Sequence, residues 1–238
     1  MTKHKLPPIQ LTDPEVFILE SLSFQDEVEG RFEGKVLADM LRLSGKKPAY
    51  YYFHTERELR ELAHLYRLSK YRFLHLSCHG TPEAIHTTLG PIPTIRFATI
   101  FQGHLKLRRL FISACEIGSG SLSEHVRAKN KGMHSIASPI DKIRFDRAAA
   151  IWAAFYIRMF DMNPDAMASK DIGNLLRSLC QLFDVRFNWG WYAPNTDTWN
   201  QEEIAPTKPA AQPPADTPIA IPLASSCSPV VPLPPINP

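Results

Sequence analysis

No apolar run in this chain reaches the about 18 residues that a membrane-spanning helix needs. The polar start Met1-Thr2-Lys3-His4-Lys5 leads into no apolar core of the kind a secretory signal carries. Cysteine is scarce and scattered. The four, at positions 78, 115, 180 and 227, have neither metal-type spacing nor a disulfide framework. Free thiols of that kind fit a reducing, cytoplasmic setting. An excess of one charge sign is also missing: 27 Lys and Arg face 24 Asp and Glu, a net of +3. Electrostatics therefore imply no nucleic-acid and no membrane partner. The sequence carries no internal repeats.

What is present divides the chain unevenly. Residues 206–238 hold eleven prolines with Ala, Ser and Thr and almost no charge. Such a composition cannot bury a core and is expected to be extended and disordered, a tail or a docking segment. Ahead of it lies enough chain for one domain with a substantial core. The expected organisation is an N-terminal extension over 1–14, a folded domain over 15–203 and a proline-rich tail over 204–238.

Within the domain, apolar strand-like runs alternate with helical periodicity. Strands are expected at Glu15–Glu20, Ala49–Phe53, Tyr71–Ser77, Arg109–Ala114 and Met133–Ala137. Helices are expected at Phe32–Leu43, from Thr55 to about Leu68, and at Thr94–Leu105, Ser121–Lys129, Arg144–Phe160 and Lys170–Phe183. Thr55-Glu56-Arg57-Glu58 reads as a capping box, and Leu59, Leu62, Ala63 and Tyr66 follow at helical spacing. Strands alternating with helices of this length imply parallel strands joined by crossovers. The expectation is an α/β three-layer sandwich with a mostly parallel central sheet.

Two strand ends carry chemistry. Phe73-Leu74-His75-Leu76-Ser77-Cys78-His79-Gly80 is an apolar run ending in His-Gly. Leu107 to Gly118 is another, ending in Ala114-Cys115-Glu116-Ile117-Gly118. Chemistry in an open parallel sheet gathers at the carboxyl ends of the strands. If the two strands are neighbours, their backbones lie about 4.8 Å apart. His79 and Cys115 would then meet over one crevice as a dyad, with the imidazole generating the thiolate.

Each residue also has a plainer reading. A cysteine on an apolar strand is often a small buried hydrophobe. Cys78 is the rival nucleophile, but side chains alternate along a strand, so Cys78 should turn into the protein when His79 faces the crevice. Cys78, His79 and Cys115 would make a zinc site only with a fourth ligand, so no metal or cofactor is expected. Trp152, Phe155 and Tyr156 fall at helical spacing and read as core. Trp189, Trp191 and Trp199 read as a cover over the last edge of the core.

A His-Gly after the third expected strand and Ala-Cys-x-x-Gly after the fourth resemble the caspase-like cysteine peptidases, most closely the bacterial CHAT branch. After the fifth strand, Ser138-Pro139-Ile140-Asp141 leads past Asp146 into Ala148, Trp152, Phe155 and Tyr156. That is similar to the CHAT pattern of a strand, a turn and a helix bearing a Phe-Tyr pair. The resemblance covers roughly residues 15–185. It implies a caspase-like fold and a cysteine endopeptidase acting on a protein or peptide substrate. It also implies Cys115 as nucleophile, His79 as general base and acid, and the N–H groups of Gly80 and Cys115 as the oxyanion site. CHAT domains often work beside other modules, which makes an activating partner protein an expectation. The alternatives are a catalytically inactive interaction module with the same fold and a small-molecule cysteine hydrolase.

The caspase pentapeptide has Gln two residues before its cysteine and Arg after it. Here those places hold Ser113 and Glu116, so cleavage after aspartate is not expected. In caspase-like folds, loops after the first and fifth strands shape the pocket for the residue before the scissile bond. Those loops offer Asp26 and Asp141 here, and acids facing a substrate side chain would select Arg or Lys.

Overall fold

A computed structural model describes residues 12–165 and 167–207; most of the expected tail and N-terminal extension lies outside the described residues. The central strands form where apolar residues run without interruption. In β1 (Asp13–Ser21), Val16, Phe17, Ile18 and Leu19 are all buried, as a strand covered on both faces requires. β1 pairs in parallel with β2 (Ala49–Tyr52) on one side and β3 (Tyr71–Gly80) on the other. β6 (Arg109–Ser113) and β7 (Ser135–Pro139) continue the parallel run. β8 (Phe187–Ala193) and β9 (Thr198–Ile204) complete it antiparallel, in the order β2-β1-β3-β6-β7-β8-β9.

Helices cover both faces, which makes three layers. One face packs against α3 (Glu56–Ser69), α4 (Thr94–Ile100) and α5 (Leu122–Lys129), through residues such as Leu59, Phe97 and Val126. The other packs against α2 (Glu33–Leu43), α6 (Phe145–Met162) and α7 (Ser169–Phe183), through Leu37, Trp152 and Leu176. Trp152, Phe155 and Tyr156 are fully buried, and Phe111 of β6 packs on Phe155 with ring centroids 4.9 Å apart. No helix of the described residues is long and apolar enough to cross a membrane.

The capping box is present in full: Glu58 N–H donates to Thr55 Oγ1 at 3.2 Å, and Thr55 N–H donates to Glu58 Oε2 at 3.0 Å. Other elements depart from expectation. The helix from Thr94 stops at Ile100, and the chain turns at Gly103 with φ of +73°, which glycine adopts without strain. β3 runs three residues longer than expected. It then folds through Pro82-Glu83 into an antiparallel hairpin of β4 (Ala84–Thr87) and β5 (Gly90–Pro93). Phe187, Trp189 and Trp191 alternate along β8, with Trp189 buried and stacked on Trp191 at 5.9 Å. Trp189 and Trp191 on β8 and Trp199 on β9 thus lie on the last two strands of the sheet. The fold therefore runs from Asp13 through Ile204, which is itself buried.

Candidate active site

The register of the sheet sets the site. Ser77 of β3 lies opposite Ser113 of β6, so His79 and Cys115, two residues further along each chain, leave the sheet at one level. Alternation turns His75, Ser77 and His79 toward α2 and α6 and sends Leu74, Leu76 and Cys78 into the opposite core. Cys78 is buried there, and burial pushes its thiol well above the ordinary range. It is a poor nucleophile in that setting.

His79 is held by a carboxylate. Its Nε2 lies 2.7 Å from Asp26 Oδ2 in α1 (Phe24–Val28). A carboxylate only accepts, so Nε2 carries a proton, and in the neutral ring the lone pair falls on Nδ1. Phe145 packs edge-on to the imidazole with centroids 5.3 Å apart. Asp26 is itself buried, takes a hydrogen bond from Ser23 Oγ, and takes another from Arg31 Nη1 at 2.9 Å. Burial pushes its carboxyl up, but the bonds from Ser23, His79 and Arg31 outweigh that and leave it below the usual carboxylate range.

Both acids expected to face a substrate are engaged elsewhere. Asp26 orients His79. Asp141 accepts Arg186 Nη2 at 2.7 Å and Arg186 N–H at 2.8 Å, tying the loop after β7 to the start of β8. Hydrogen bonds from Arg186 hold Asp141 below its ordinary range. The expectation of Arg or Lys before the scissile bond loses its basis, because neither carboxylate is free to select a cation.

Cys115 sits half-buried on a tight turn. Glu116, next in the chain, has φ of +56°, a left-handed conformation that costs a non-glycine residue of order 1 kcal/mol or more. Its N–H bonds Asp141 O at 3.2 Å, and Gly118 passes so close to Pro139 O that a Cβ would lie at 2.6 Å. Cys115 Sγ donates to Ile143 O and accepts from Ile143 N–H, each at 3.4 Å. Among the described residues no hydrogen bond joins Cys115 to His79 directly. Both nonetheless line one cavity of about 80 Å³.

Gly80 completes the arrangement. A Cβ there would meet Cys115 O at 2.9 Å and Ala114 Cβ at 3.0 Å, so only glycine lets the two strand ends approach. Thr81 N–H bonds Ala84 O at 2.9 Å, which makes Gly80 opposite Ile85 the non-bonded pair of the hairpin. Its N–H therefore points away from β4.

One functional candidate was not singled out from the sequence. Buried Glu33, at the start of α2, accepts from Ser77 Oγ at 2.9 Å and Ser113 Oγ at 2.8 Å through Oε2 alone. It ties β3 and β6 together two residues behind His79 and Cys115. Its Oε1 lies 3.9 Å from His75 Nε2, and among the described residues neither atom has a hydrogen-bond partner. Buried Glu20 accepts from Gly34 N–H and Tyr50 Oη, yet burial pushes it up to about 7. The matched serines, each two places before a dyad residue, were the available signal. Among the described residues no group of three or more His, Cys, Asp or Glu is set to hold a metal ion. Compared with protein-family models and with curated proteins, the sequence matches none.

Proposed function

We propose that this protein is a cysteine endopeptidase of caspase-like, CHAT-type architecture, working in the cytoplasm on protein or peptide substrates. The observation that carries the reading is the oriented imidazole. Asp26 fixes the His79 tautomer while His79 and Cys115 line one cavity at neighbouring strand ends. Nδ1 of His79 takes the thiol proton, and Sγ of Cys115 attacks the scissile carbonyl. The N–H groups of Gly80 and Cys115 receive the developing oxyanion, each donor being worth about 10²–10³ in turnover. The tetrahedral intermediate collapses as His79 returns the proton to the leaving amine. Water, deprotonated by the same imidazole, then hydrolyses the acyl-enzyme.

The bond from Cys115 Sγ to Ile143 O means that the thiol must turn away from the loop after β7 before His79 can take its proton. A partner protein that shifts this loop would act as a switch. The same bond favours the second reading, an interaction module that cleaves nothing. Incubation with a peptide library, read by mass spectrometry, separates the two. Cleavage that vanishes in Cys115→Ala and His79→Ala but survives in Cys78→Ala supports the peptidase. Products that persist in Cys115→Ala refute it.

A further inference from the structure

We propose that the cavity at the dyad selects a small, uncharged side chain, of alanine or serine size, beside the scissile carbonyl; this rests on the peptidase reading above. Any acyl group attacked by Cys115 must enter the space that both Cys115 and His79 line, and that space is about 80 Å³. An apolar cavity of about 150 Å³ takes up benzene, and one of about half that volume holds a few heavy atoms. Besides His79 and Cys115, its lining is mainly apolar, with Ala114, Pro139, Ile143, Phe145 and Ala148, and is completed by Cys78, Ser113 and Glu33. Leucine, phenylalanine and lysine side chains exceed it.

Charge is excluded by the floor. Glu33 lies beneath the cavity, but its Oε2 is already taken by Ser77 and Ser113, and its Oε1 is buried from solvent. Oε1 has no partner, but a lysine or arginine chain long enough to bring its head there exceeds the cavity, and an acidic side chain would meet a carboxyl group. No Lys or Arg lines the cavity, and the cations bonded to Asp26 or next in the chain to its lining are paired: Arg31 with Asp26, Arg144 with Asp146, and Lys142 with Glu116 at 3.7 Å. None supplies a receptor for an acidic side chain. Specificity is then a matter of size, set mainly by Ala148 on α6.

The test uses peptidyl acyloxymethyl ketones that differ only at the residue next to the ketone, with labelling of Cys115 followed by mass spectrometry in the full chain. Gly, Ala and Ser probes should label fastest, with Leu, Phe, Lys, Arg and Asp slower by about 10-fold or more. Ala148→Val should slow the Ala probe relative to the Gly probe by about the same factor, since two added carbons are decisive in a pocket where a single methylene already counts. Ala148→Ser, nearly isosteric and milder for folding, should leave the ranking unchanged. Fastest labelling by Lys, Arg or Asp probes, or a ranking indifferent to size, would overturn the pocket assignment while leaving the peptidase intact. If iodoacetamide alkylates Cys115 but no peptidyl ketone labels it, the peptidase reading fails and takes the pocket with it.

Discussion

The two faces of the sheet are built to different rules. Against α3, α4 and α5, the strands present Leu74, Leu76, Leu110 and Ile112, and the core there is apolar packing. Against α2, α6 and α7, the aliphatic and aromatic core is interrupted by Glu20, Glu33, His75, Ser77 and Ser113, all buried. Burying a carboxylate is costly unless it is bonded, and here three of the four oxygens of Glu20 and Glu33 are shared by hydroxyls and helix N–H groups. The polar residues are not scattered. They lead along β3 and β6 to His79 and Cys115, and to Asp26 behind the imidazole. One face is continuous apolar packing, and the other carries a polar row that ends at His79, Cys115 and Asp26.

That contrast breaks if both faces respond alike to mutation. Phe97→Ala, on the apolar face, should cost about 3–5 kcal/mol of stability, yet leave Cys115 alkylation in the folded fraction unchanged. Glu33→Ala removes the acceptor of Ser113 and leaves Ser77 only its longer bond to Glu20 Oε1 at 3.4 Å, at up to about 1–3 kcal/mol for each hydroxyl. It should also slow Cys115 alkylation, because the dyad strands lose their tie. Glu33→Gln retains a carbonyl oxygen and should recover much of the rate. Denaturation paired with single-turnover labelling checks both effects. Equal loss of reactivity in Phe97→Ala and Glu33→Ala would erase the distinction.

A somewhat smaller effect sharpens it. Glu20 titrates at about 7 when folded and near 4.5 when unfolded. The folded state therefore holds this proton over an interval in which the unfolded chain has lost it. Stability should fall as pH rises from about 4.5 to 7 and level off above, by about 3 kcal/mol at most. Glu20→Gln should remove that slope in urea titrations at pH 5 and pH 8. A slope that survives the substitution would place its origin elsewhere.

How much of this was legible depended on the distance over which each feature is encoded. Local signals were readable: the Thr55 capping box, the apolar run Phe73–Leu76 and the helical face Leu59, Leu62, Ala63, Tyr66 all lie within one element. So were the positions of His79 and Cys115, because a parallel register puts strand ends side by side. Asp26 reads as a substrate-facing acid because it falls in the acidic loop Gln25-Asp26-Glu27-Val28-Glu29 after the first strand. Its burial arises only when β3, 53 residues later, brings His79 against it. Glu33 reaches Ser113 across 80 residues, and no local pattern announces such a contact. The hairpin of β4 and β5 was hidden by Pro91 and Pro93, residues that a strand tolerates at an edge.

The central claim is that His79, oriented by Asp26, activates Cys115. The most direct test is the pH-resolved iodoacetamide alkylation rate of each cysteine, followed by mass spectrometry in wild type, His79→Ala and Asp26→Ala. In wild type at neutral pH, Cys115 should react well ahead of Cys78 and Cys180, and both substitutions should slow it by about 10-fold or more. A Cys115 rate unchanged by either substitution, or a faster reaction at Cys78, would contradict the account.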